Sequence, residues 1–230
     1  MNRSLFIAIE GGDGSGKRTQ SDLLVQYLKD ELYKNVLKVS FPRYGQPSAY
    51  YAGQYLDGAY GEANDVPADL ASLTYAIDRF AARDEIVTFM NQPDSIVISD
   101  RYMASNLAHQ GTKFSTDVER HAFYERMMDT EYIILGIPRP TLNIVLVVPT
   151  DIAQLNVDKK DAVEANRTYT DKKRDIHEAD PNHLEKAKAN YQELCELYPN
   201  EFKAIQCVNE SGTLRSIDDI QKEIREIAYP

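Results

Sequence analysis

The chain has 230 residues, of which 43% are hydrophobic and 27% are charged. This composition is typical of a single globular domain and not of collagen-like, disordered or low-complexity proteins. Acidic residues outnumber basic ones by 36 to 26, so the net charge is -10 and nucleic-acid phosphate would be repelled. No apolar run approaches the ~20 residues of a membrane-spanning helix, and the two cysteines form no metal-binding pattern. We therefore expect a soluble, cytoplasmic protein without a nucleic-acid or membrane partner.

Apolar segments of strand length alternate with segments of helical periodicity along the chain. The strand-like segments are 5–9, 36–41, 96–98, 142–148 and 204–208, and long helices are predicted over about 17–33 and 68–90. Strands covered on both faces are apolar almost throughout, and helices connect parallel strands by right-handed crossovers. The pattern predicts an α/β fold, with a doubly wound parallel sheet of about five strands and helices on both faces.

Residues 158–180 differ from the rest of the chain. The stretch DKKDAVEANRTYTDKKRDIHEAD is polar and densely charged, with almost no apolar periodicity. A segment of this kind is typical of a mobile surface element. No repeat or interdomain linker is visible, so we predict one domain over 1–230 that carries a mobile lid at about 158–180.

A glycine-rich loop with a lysine follows the first predicted strand and precedes the first predicted helix. Its sequence is GGDGSGKRT, and the predicted ATP-binding residues are Gly11, Gly12, Asp13, Gly14, Ser15, Gly16, Lys17, Arg18 and Thr19. The backbone amides of such a loop bind phosphate oxygens, and the lysine reaches the β and γ phosphates. Arg18 stands where this motif normally has the Ser or Thr that contacts magnesium. The alternative is a glycine-rich turn without a ligand, which the order of strand, loop, lysine and helix disfavours.

Two further segments, FPRYG and SDRYMASNLAHQG, follow predicted strands, and ligands bind at that edge of open α/β sheets. Asp100 ends its strand as a magnesium-organising carboxylate would, and Arg101 beside it can span two phosphates. Tyr75 and Arg79 on the second long helix are four residues apart and therefore share one face. We interpret Asp78, next to Arg79, as a structural residue.

These motifs together resemble the thymidylate kinases along nearly the whole chain. EGGDGSGKRTQ, FPRYG, the Tyr-x-x-x-Arg helix, DRYMASN with its trailing QG, the charged lid and ESGTLRSIDDI occur in that family's order and rough spacing. The resemblance implies a P-loop kinase fold and transfer of the γ-phosphoryl group of ATP to dTMP, which gives dTDP, with Mg²⁺ and in a homodimer. Composition and periodicity by themselves indicate only a phosphate-binding α/β fold.

The resemblance also implies charged catalytic residues, carried over motif by motif. The implied catalytic residues are Asp13, Lys17, Arg43 and Arg101, and the predicted magnesium-binding residues are Asp13, Asp100 and Glu178. The charge density of the lid, and not a matching motif, adds Arg167 and Arg174 as predicted catalytic cations, with a solvated charged loop as the alternative. Phosphoryl transfer needs positioning and neutralised charge, and arginine can grip phosphate in a bidentate fork. Some family members carry a loop arginine at the place of Gly14, so we expect the lid to supply that cation here.

The implied dTMP site is drawn from several segments. Its residues are Asp13, Phe41, Pro42, Arg43, Tyr44, Tyr75, Arg79, Arg101, Ser105, Asn106, His109, Gln110, Asp175 and His177. Tyr75 would stack on thymine, Arg79 would donate to a thymine carbonyl, and Asn106 would read the N3 edge. His109 and His177 stand where the family commonly has tyrosine. We interpret the chain's other two histidines as surface or helix-face residues.

Two alternatives remain open. A related P-loop kinase could act on another deoxynucleotide or on a deoxynucleoside, although a nucleoside lacks the phosphate that Arg43 and Asp13 are arranged to hold. A nucleotide-binding switch or silent regulator would account for Arg18 as decay of the magnesium site. Such a switch would have no acceptor pocket, so saturable dTMP binding separates it from a kinase.

Overall fold

The computed structural model describes residues 5–161 and 181–229. Its strands are β1 (Leu5–Gly11), β2 (Asn35–Ser40), β3 (Ser95–Asp100), β4 (Leu142–Val147) and β5 (Phe202–Gln206). Its α-helices are α1 (Lys17–Asp30), α2 (Tyr50–Leu56), α3 (Ala68–Met90), α4 (Met103–Gly111), α5 (Asp117–Met128), α6 (Thr150–Asp161), α7 (Pro181–Leu197) and α8 (Ile217–Ala228). A π-helical segment, Asp129–Ile134, continues α5. From residue 162 onward, the predicted lid lies outside the described residues.

The five strands form one parallel sheet in the order β2-β3-β1-β4-β5, which confirms the predicted fold class. The central strand β1 pairs with β3 on one side, where Ile9 faces Asp100, and with β4 on the other, where Gly11 faces Leu146. The chain adds β2 and β3 on one side of β1 and then β4 and β5 on the other. Ligands bind at such a reversal, beyond the carboxyl ends of the strands.

Apolar side chains cover both faces of the sheet. Successive residues of β1 point to opposite faces: Ile7 and Ile9 pack in the cluster that contains α1 and α8, and Phe6 and Ala8 in the cluster that contains α3, α4, α5 and α7. Each large side chain that is fully buried stabilises the fold by about 1.5–3 kcal/mol. The sheet is therefore held from both sides, and the loops at its carboxyl edge start from fixed positions.

The five predicted strands and the two predicted long helices are all present, but some of them begin or end at other residues than predicted. The helix predicted over 68–90 has those bounds in α3, whereas α1 ends at Asp30 and not near residue 33. The difference arises because Tyr33 has a φ of 52°, which an α-helix cannot include. β5 starts at Phe202, two residues earlier than predicted, because Phe202 already pairs with Asn143 of β4. Among the described helices, none combines the length and the apolar character that a membrane crossing requires.

Candidate active site

The loop between β1 and α1 turns on three glycines. Gly11, Gly14 and Gly16 have φ values of 135°, 76° and 86°, which residues with a Cβ rarely adopt. Gly16 is the N-cap of α1 and supplies no side-chain acceptor to the helix, so the first backbone N–H groups of α1 have no cap. A helix N-terminus with exposed N–H groups and a positive dipole end is suited to bind a phosphate.

Lys17 is the first residue of α1 and folds back over the loop. Its Nζ donates a hydrogen bond of 2.6 Å to the carbonyl oxygen of Gly12, and the residue is only 6% exposed. Burial, and then the charge of Arg101, lower the pKa of Lys17 to about 8, although Asp13 and Asp100 favour its charged form. The ammonium is therefore charged at neutral pH and loses its proton in mildly alkaline solution.

Arg101 follows β3 and connects the loop to α4. Its backbone has a φ of 64°, and its N–H donates to the carbonyl of Ile9 at 3.0 Å. Its Nη2 donates to a carboxylate oxygen of Asp13, and its Nη1 lies 3.2 Å from the hydroxyl of Ser105. Three predicted site residues from two segments, the glycine loop and the segment after β3, thus meet directly at the carboxyl edge of the sheet.

Beneath these groups lies Glu10, a residue that the sequence analysis did not single out. It is fully buried, and its oxygens accept hydrogen bonds from the backbone N–H of Tyr102 at 2.7 Å and the hydroxyl of Ser105 at 2.6 Å. The hydroxyl of Tyr191 on α7 donates to the same Ser105 oxygen at 2.9 Å. Burial raises the pKa of Glu10, while the bond from Ser105 and the charge of Arg101 oppose that rise.

Arg43 follows β2 and is held by α3. Its backbone N–H and its Nε donate to the carboxylate of Asp78 at 2.6 and 2.9 Å, and its Nη2 donates to the backbone oxygen of Asp78 at 3.0 Å. Asp78 also accepts from the hydroxyl of Ser48 and is fully buried. The interpretation of Asp78 as structural was therefore incomplete, because this carboxylate fixes the predicted phosphate-binding arginine.

Polar side chains of α4 lie close to aromatic side chains of α2 and α3. Gln110 accepts a hydrogen bond of 3.2 Å from the hydroxyl of Tyr55, whose ring meets that of Tyr75 edge-on at 6.2 Å. Asn106, one turn earlier on α4, is 4% exposed, and neither polar atom of its side chain has a hydrogen-bond partner among the described residues. Buried amides are nearly always paired in native proteins, so a ligand or an ordered water molecule is expected to pair with this one.

Arg79 lies in the interior and is paired with the π-helical segment. Its Nε and Nη2 donate to the two carboxylate oxygens of Glu131 at 2.6 and 2.5 Å, and both side chains are at most 2% exposed. Burial disfavours the charged guanidinium, but the charge of Glu131 outweighs it and raises the pKa of Arg79. The predicted contact with a thymine carbonyl stays a prediction, and it would have to use the side of the guanidinium away from Glu131.

His109 is packed between α4 and α7. Its Nδ1 lies 3.1 Å from Nε2 of His183, whose Nδ1 lies 3.2 Å from the hydroxyl of Thr112. His183 lies on a face of α7 and is 8% exposed, so of the two predicted positions, surface and helix face, the surface position is wrong. His109 lines a cavity together with Asp13 and Tyr191, which places this histidine next to the glycine loop.

The remaining predicted residues divide into those that join the site and those outside the described residues. Phe41 is buried with its ring 5.4 Å from that of Tyr102, and Tyr44 packs against the cluster around Tyr55. Arg18 is exposed. The predicted residues that fall outside the described ranges are Arg167, Arg174, Asp175, His177 and Glu178. Within those ranges, no group of three or more His, Cys, Asp or Glu side chains could hold a metal ion.

Comparisons with known proteins agree on one family. The sequence model described as "Thymidylate kinase" matches residues 9–224. The thymidylate kinase of Mycobacterium tuberculosis is 32% identical over 196 residues, which cover 83% of this chain and 85% of that protein. A probable thymidylate kinase of Methanosphaera stadtmanae is 29% identical over 221 residues, which cover 96% and 95%. The structure of the Candida albicans thymidylate kinase superposes with a TM-score of 0.67 at 20% identity, covering 98% of this chain and 91% of that one.

Proposed function

Because the chain belongs to the thymidylate kinase family over residues 9–224, we propose that it transfers the γ-phosphoryl group of ATP to dTMP and releases dTDP and ADP. The family match includes both the glycine loop and the helices that surround the carboxyl edge of the sheet. A cytoplasmic location stays a prediction from the sequence.

The buried amide of Asn106 is the observation that supports a pyrimidine acceptor. Thymine presents an N3–H donor beside a carbonyl acceptor, and an amide presents the complementary acceptor and donor. Both atoms of the Asn106 amide are buried without a partner among the described residues. A site with such unsatisfied groups favours a ligand that pairs with them and rejects analogues that cannot.

The charged groups divide between the two nucleotides. The loop amides, the N-terminus of α1 and Lys17 would hold the ATP phosphates, while Arg43, fixed by Asp78, would grip the dTMP phosphate. Arg101 stands between them, against Asp13. The attacking phosphate oxygen of dTMP is already ionised near neutral pH, so no side chain needs to remove a proton. These residues would therefore act by alignment and by stabilising negative charge on the transferring group.

The carboxylates at this edge fit a magnesium ion that is held mainly by nucleotide. Asp13 and Asp100 both act electrostatically on Lys17 and Arg101, so the two carboxylates lie near the phosphate-binding cations. Magnesium in such sites typically keeps several waters and takes one or two carboxylates plus phosphate oxygens. Asp13 and Asp100, with Glu178 from outside the described residues, would hold the ion. When bound, magnesium would neutralise phosphate charge and orient the β and γ phosphates.

We also infer a homodimer, and α3 supplies the supporting surface. Five apolar side chains recur every three, four or seven residues on this helix, and each is 38–58% exposed: Leu70, Leu73, Ile77, Phe80 and Val87. By contrast, Leu24 and Leu28 of α1 and Ile220 and Ile224 of α8 pack in one buried cluster with the sheet. An exposed apolar stripe of this length is typical of a protein interface, and a second copy of this chain would cover it with the same stripe.

An assay of ADP release tests the proposed reaction. It uses dTMP, dUMP, dCMP, dGMP, AMP and thymidine as separate acceptors, and we expect the highest kcat/KM with dTMP. Loss of the 5-methyl contact costs about 1–3 kcal/mol, so dUMP should be slower but measurable. Equal or faster turnover of AMP or dGMP would contradict the proposal, and preference for thymidine would favour the alternative of a deoxynucleoside kinase.

A variant pair links the assay to the pocket. Asn106→Ala should raise the KM for dTMP about tenfold or more and leave the KM for ATP nearly unchanged, because the lost pairing is worth more than ~1 kcal/mol. Asn190→Ala is the matched control, since Asn190 is equally buried but already donates to the backbone of Ala108 at 2.8 Å. That control should lower stability while the KM for dTMP stays near the wild-type value.

A further inference from the structure

Glu10 places a carboxyl group in the interior directly below the proposed phosphate site. The residue is 0% exposed, so its carboxylate faces protein groups and not the space where nucleotides would bind. Its Oε1 accepts from the backbone N–H of Tyr102 and its Oε2 from the hydroxyl of Ser105. Buried carboxylates are costly unless they are paired, so a specific role is expected for this one.

The hydrogen bond from the backbone N–H of Tyr102 to Glu10 fixes the backbone after Arg101. Arg101 has a φ of 64°, a left-handed conformation that is unfavourable for a residue with a Cβ. Its own N–H is held by the carbonyl of Ile9, and its carbonyl accepts from the hydroxyl of Ser99. The next N–H, that of Tyr102, is held by Glu10, so every polar backbone group around the strained residue is anchored.

The hydrogen bond from the Ser105 hydroxyl to Glu10 determines which groups donate and which accept around Ser105. The oxygen of Ser105 accepts from the Tyr191 hydroxyl at 2.9 Å and from Arg101 Nη1 at 3.2 Å, and a serine oxygen has two lone pairs. Its only proton is donated to Oε2 of Glu10. The network is therefore complete only when that oxygen of Glu10 is an acceptor.

Glutamine cannot replace Glu10 in this arrangement, although it has the same size. If the amide nitrogen faces Ser105, the serine proton loses its acceptor. If the amide is turned over, the nitrogen faces the N–H of Tyr102 and two donors oppose each other. One acceptor is missing in both orientations, so we expect the substitution to disturb either Ser105 or the peptide that follows Arg101.

We propose that Glu10 is a positioning residue, which holds Arg101 in its left-handed conformation and, through Ser105, aims its guanidinium at the phosphate site beside Asp13. The inference rests on the proposed function of Arg101 as a cation for the phosphoryl group. Because Arg101 would act mainly on the charge that develops during transfer, misplacing it should lower kcat more than it weakens nucleotide binding.

Two substitutions of hydrogen-bonded carboxylates, one inside this network and one outside it, separate positioning from packing. In Glu10→Gln we expect kcat to fall about 100-fold, since a ~1 Å misplacement can cost that much, while the KM for dTMP changes less than about threefold. Glu193→Gln is the matched control, because the Glu193 carboxylate also accepts hydrogen bonds from side chains, those of Arg120 and Tyr124, but neither of these partners is a predicted site residue. That variant should keep kcat within about threefold of wild type. If Glu10→Gln does not fold, Glu10→Asp retains the charge but reaches only one of the two donors, and it should lower kcat in the same direction.

A crystal structure of Glu10→Gln provides a measurement that does not depend on activity. We expect Arg101 to leave the left-handed region or to lose its contact with Asp13. The proposal is overturned if Arg101 is unmoved, or if the kcat of Glu10→Gln matches that of Glu193→Gln. Failure of the proposed function is distinguishable, because wild-type protein would then not use dTMP while Arg101 would still move in the variant structure.

Discussion

Asp78 binds Arg43 through three of its own atoms, two carboxylate oxygens and the backbone carbonyl, although the residues are 35 positions apart. The carboxylate is fully buried, whereas the arginine side chain is 22% exposed at the edge of the site. Arg43 is therefore already oriented before a nucleotide binds. Charge that is placed in advance needs little rearrangement when the ligand arrives, which is how fixed cations contribute most to binding and catalysis.

The first prediction concerns this pair. Asp78→Asn removes the charge and one of the two carboxylate acceptors, and a bond between charged groups is worth about 1.5–3 kcal/mol. We expect the KM for dTMP to rise about tenfold or more, measured by steady-state kinetics. Asp69→Asn is the control, because Asp69 also binds an arginine, Arg126, but both side chains are at least 40% exposed. An equal effect of both substitutions would contradict the anchoring role of Asp78.

A second prediction concerns Glu131 and the interior arginine that it pairs with. Glu131→Gln leaves the charge of Arg79 buried and uncompensated, and removing one partner of such a pair typically costs about 3–5 kcal/mol. Urea unfolding should show a loss of this size, and the preference for dTMP over dCMP should fall in the assay. Glu201→Gln breaks a comparable but exposed pair with Arg139 and should cost less than about 1 kcal/mol. A stability loss in Glu131→Gln no larger than in that control would rule out the expected role.

The third prediction is a pH dependence that Lys17 imposes. Burial lowers the pKa of Lys17 to about 8, so the ammonium is charged below that pH and is lost as the pH rises through it. The kcat/KM for ATP reports the free enzyme and should decline above about pH 8. Bound phosphates favour the charged lysine, so the decline in kcat should begin at higher pH. A kcat/KM that stays constant up to pH 9.5 would be inconsistent with this assignment.

A fourth prediction comes from the sequence alone, because Arg167 and Arg174 lie outside the described residues. The loop has no cation before Lys17, so a lid arginine is expected to serve the transferring phosphoryl group, a contribution worth ~10³–10⁵ in related enzymes. At least one of Arg167→Ala and Arg174→Ala should lower kcat more than ~100-fold with little change in dTMP binding. A near-normal kcat in the double variant would contradict the role of the lid, and Arg43 and Arg101 would then have to neutralise the charge of the transferring phosphoryl group.

The fifth prediction tests the apolar stripe of α3. Phe80→Asp places a charge in the middle of the stripe and should shift the protein from dimer to monomer in sedimentation equilibrium, since a charge buried at an interface without a partner is strongly unfavourable. Val118→Asp is the control, because Val118 is 79% exposed on α5 and away from the stripe. A wild-type protein that is monomeric at micromolar concentration would refute the dimer.

Features with a local signature were predictable from the sequence. The glycine loop, the strand-end segments and the bounds of α3 each depend on residues that are close together in the chain. The sequence also indicated Asn106 and Arg101 as site residues through their motifs, although no motif could show that the Asn106 amide is buried without a partner. Periodicity likewise indicated α1 but not its last residues, which depend on the backbone of Tyr33.

Residues whose role depends on a distant partner were not predictable in the same way. Glu10 and Tyr102 are 92 positions apart, Arg79 and Glu131 are 52 apart, and His109 and His183 are 74 apart. The residues next to such a carboxylate or imidazole in the sequence do not indicate which distant residue it contacts. The packing of strands and helices in the fold brings these groups together, so their contacts can be identified only when the fold is known.

Gly14 limits how this loop can change. A Cβ built at this position would lie 2.0 Å from the carbonyl oxygen of Ala153, and the backbone φ is 76°. The obstacle is the main chain of α6, whose Asn156 also donates to the carbonyl of Gly14 at 3.0 Å, so no side-chain rotation can relieve it. An arginine at this place, as in some family members, is therefore not reachable by one substitution in this chain. A cation at this position would require α6 to move as well, so the sequence of the glycine loop and the position of α6 are coupled in this chain.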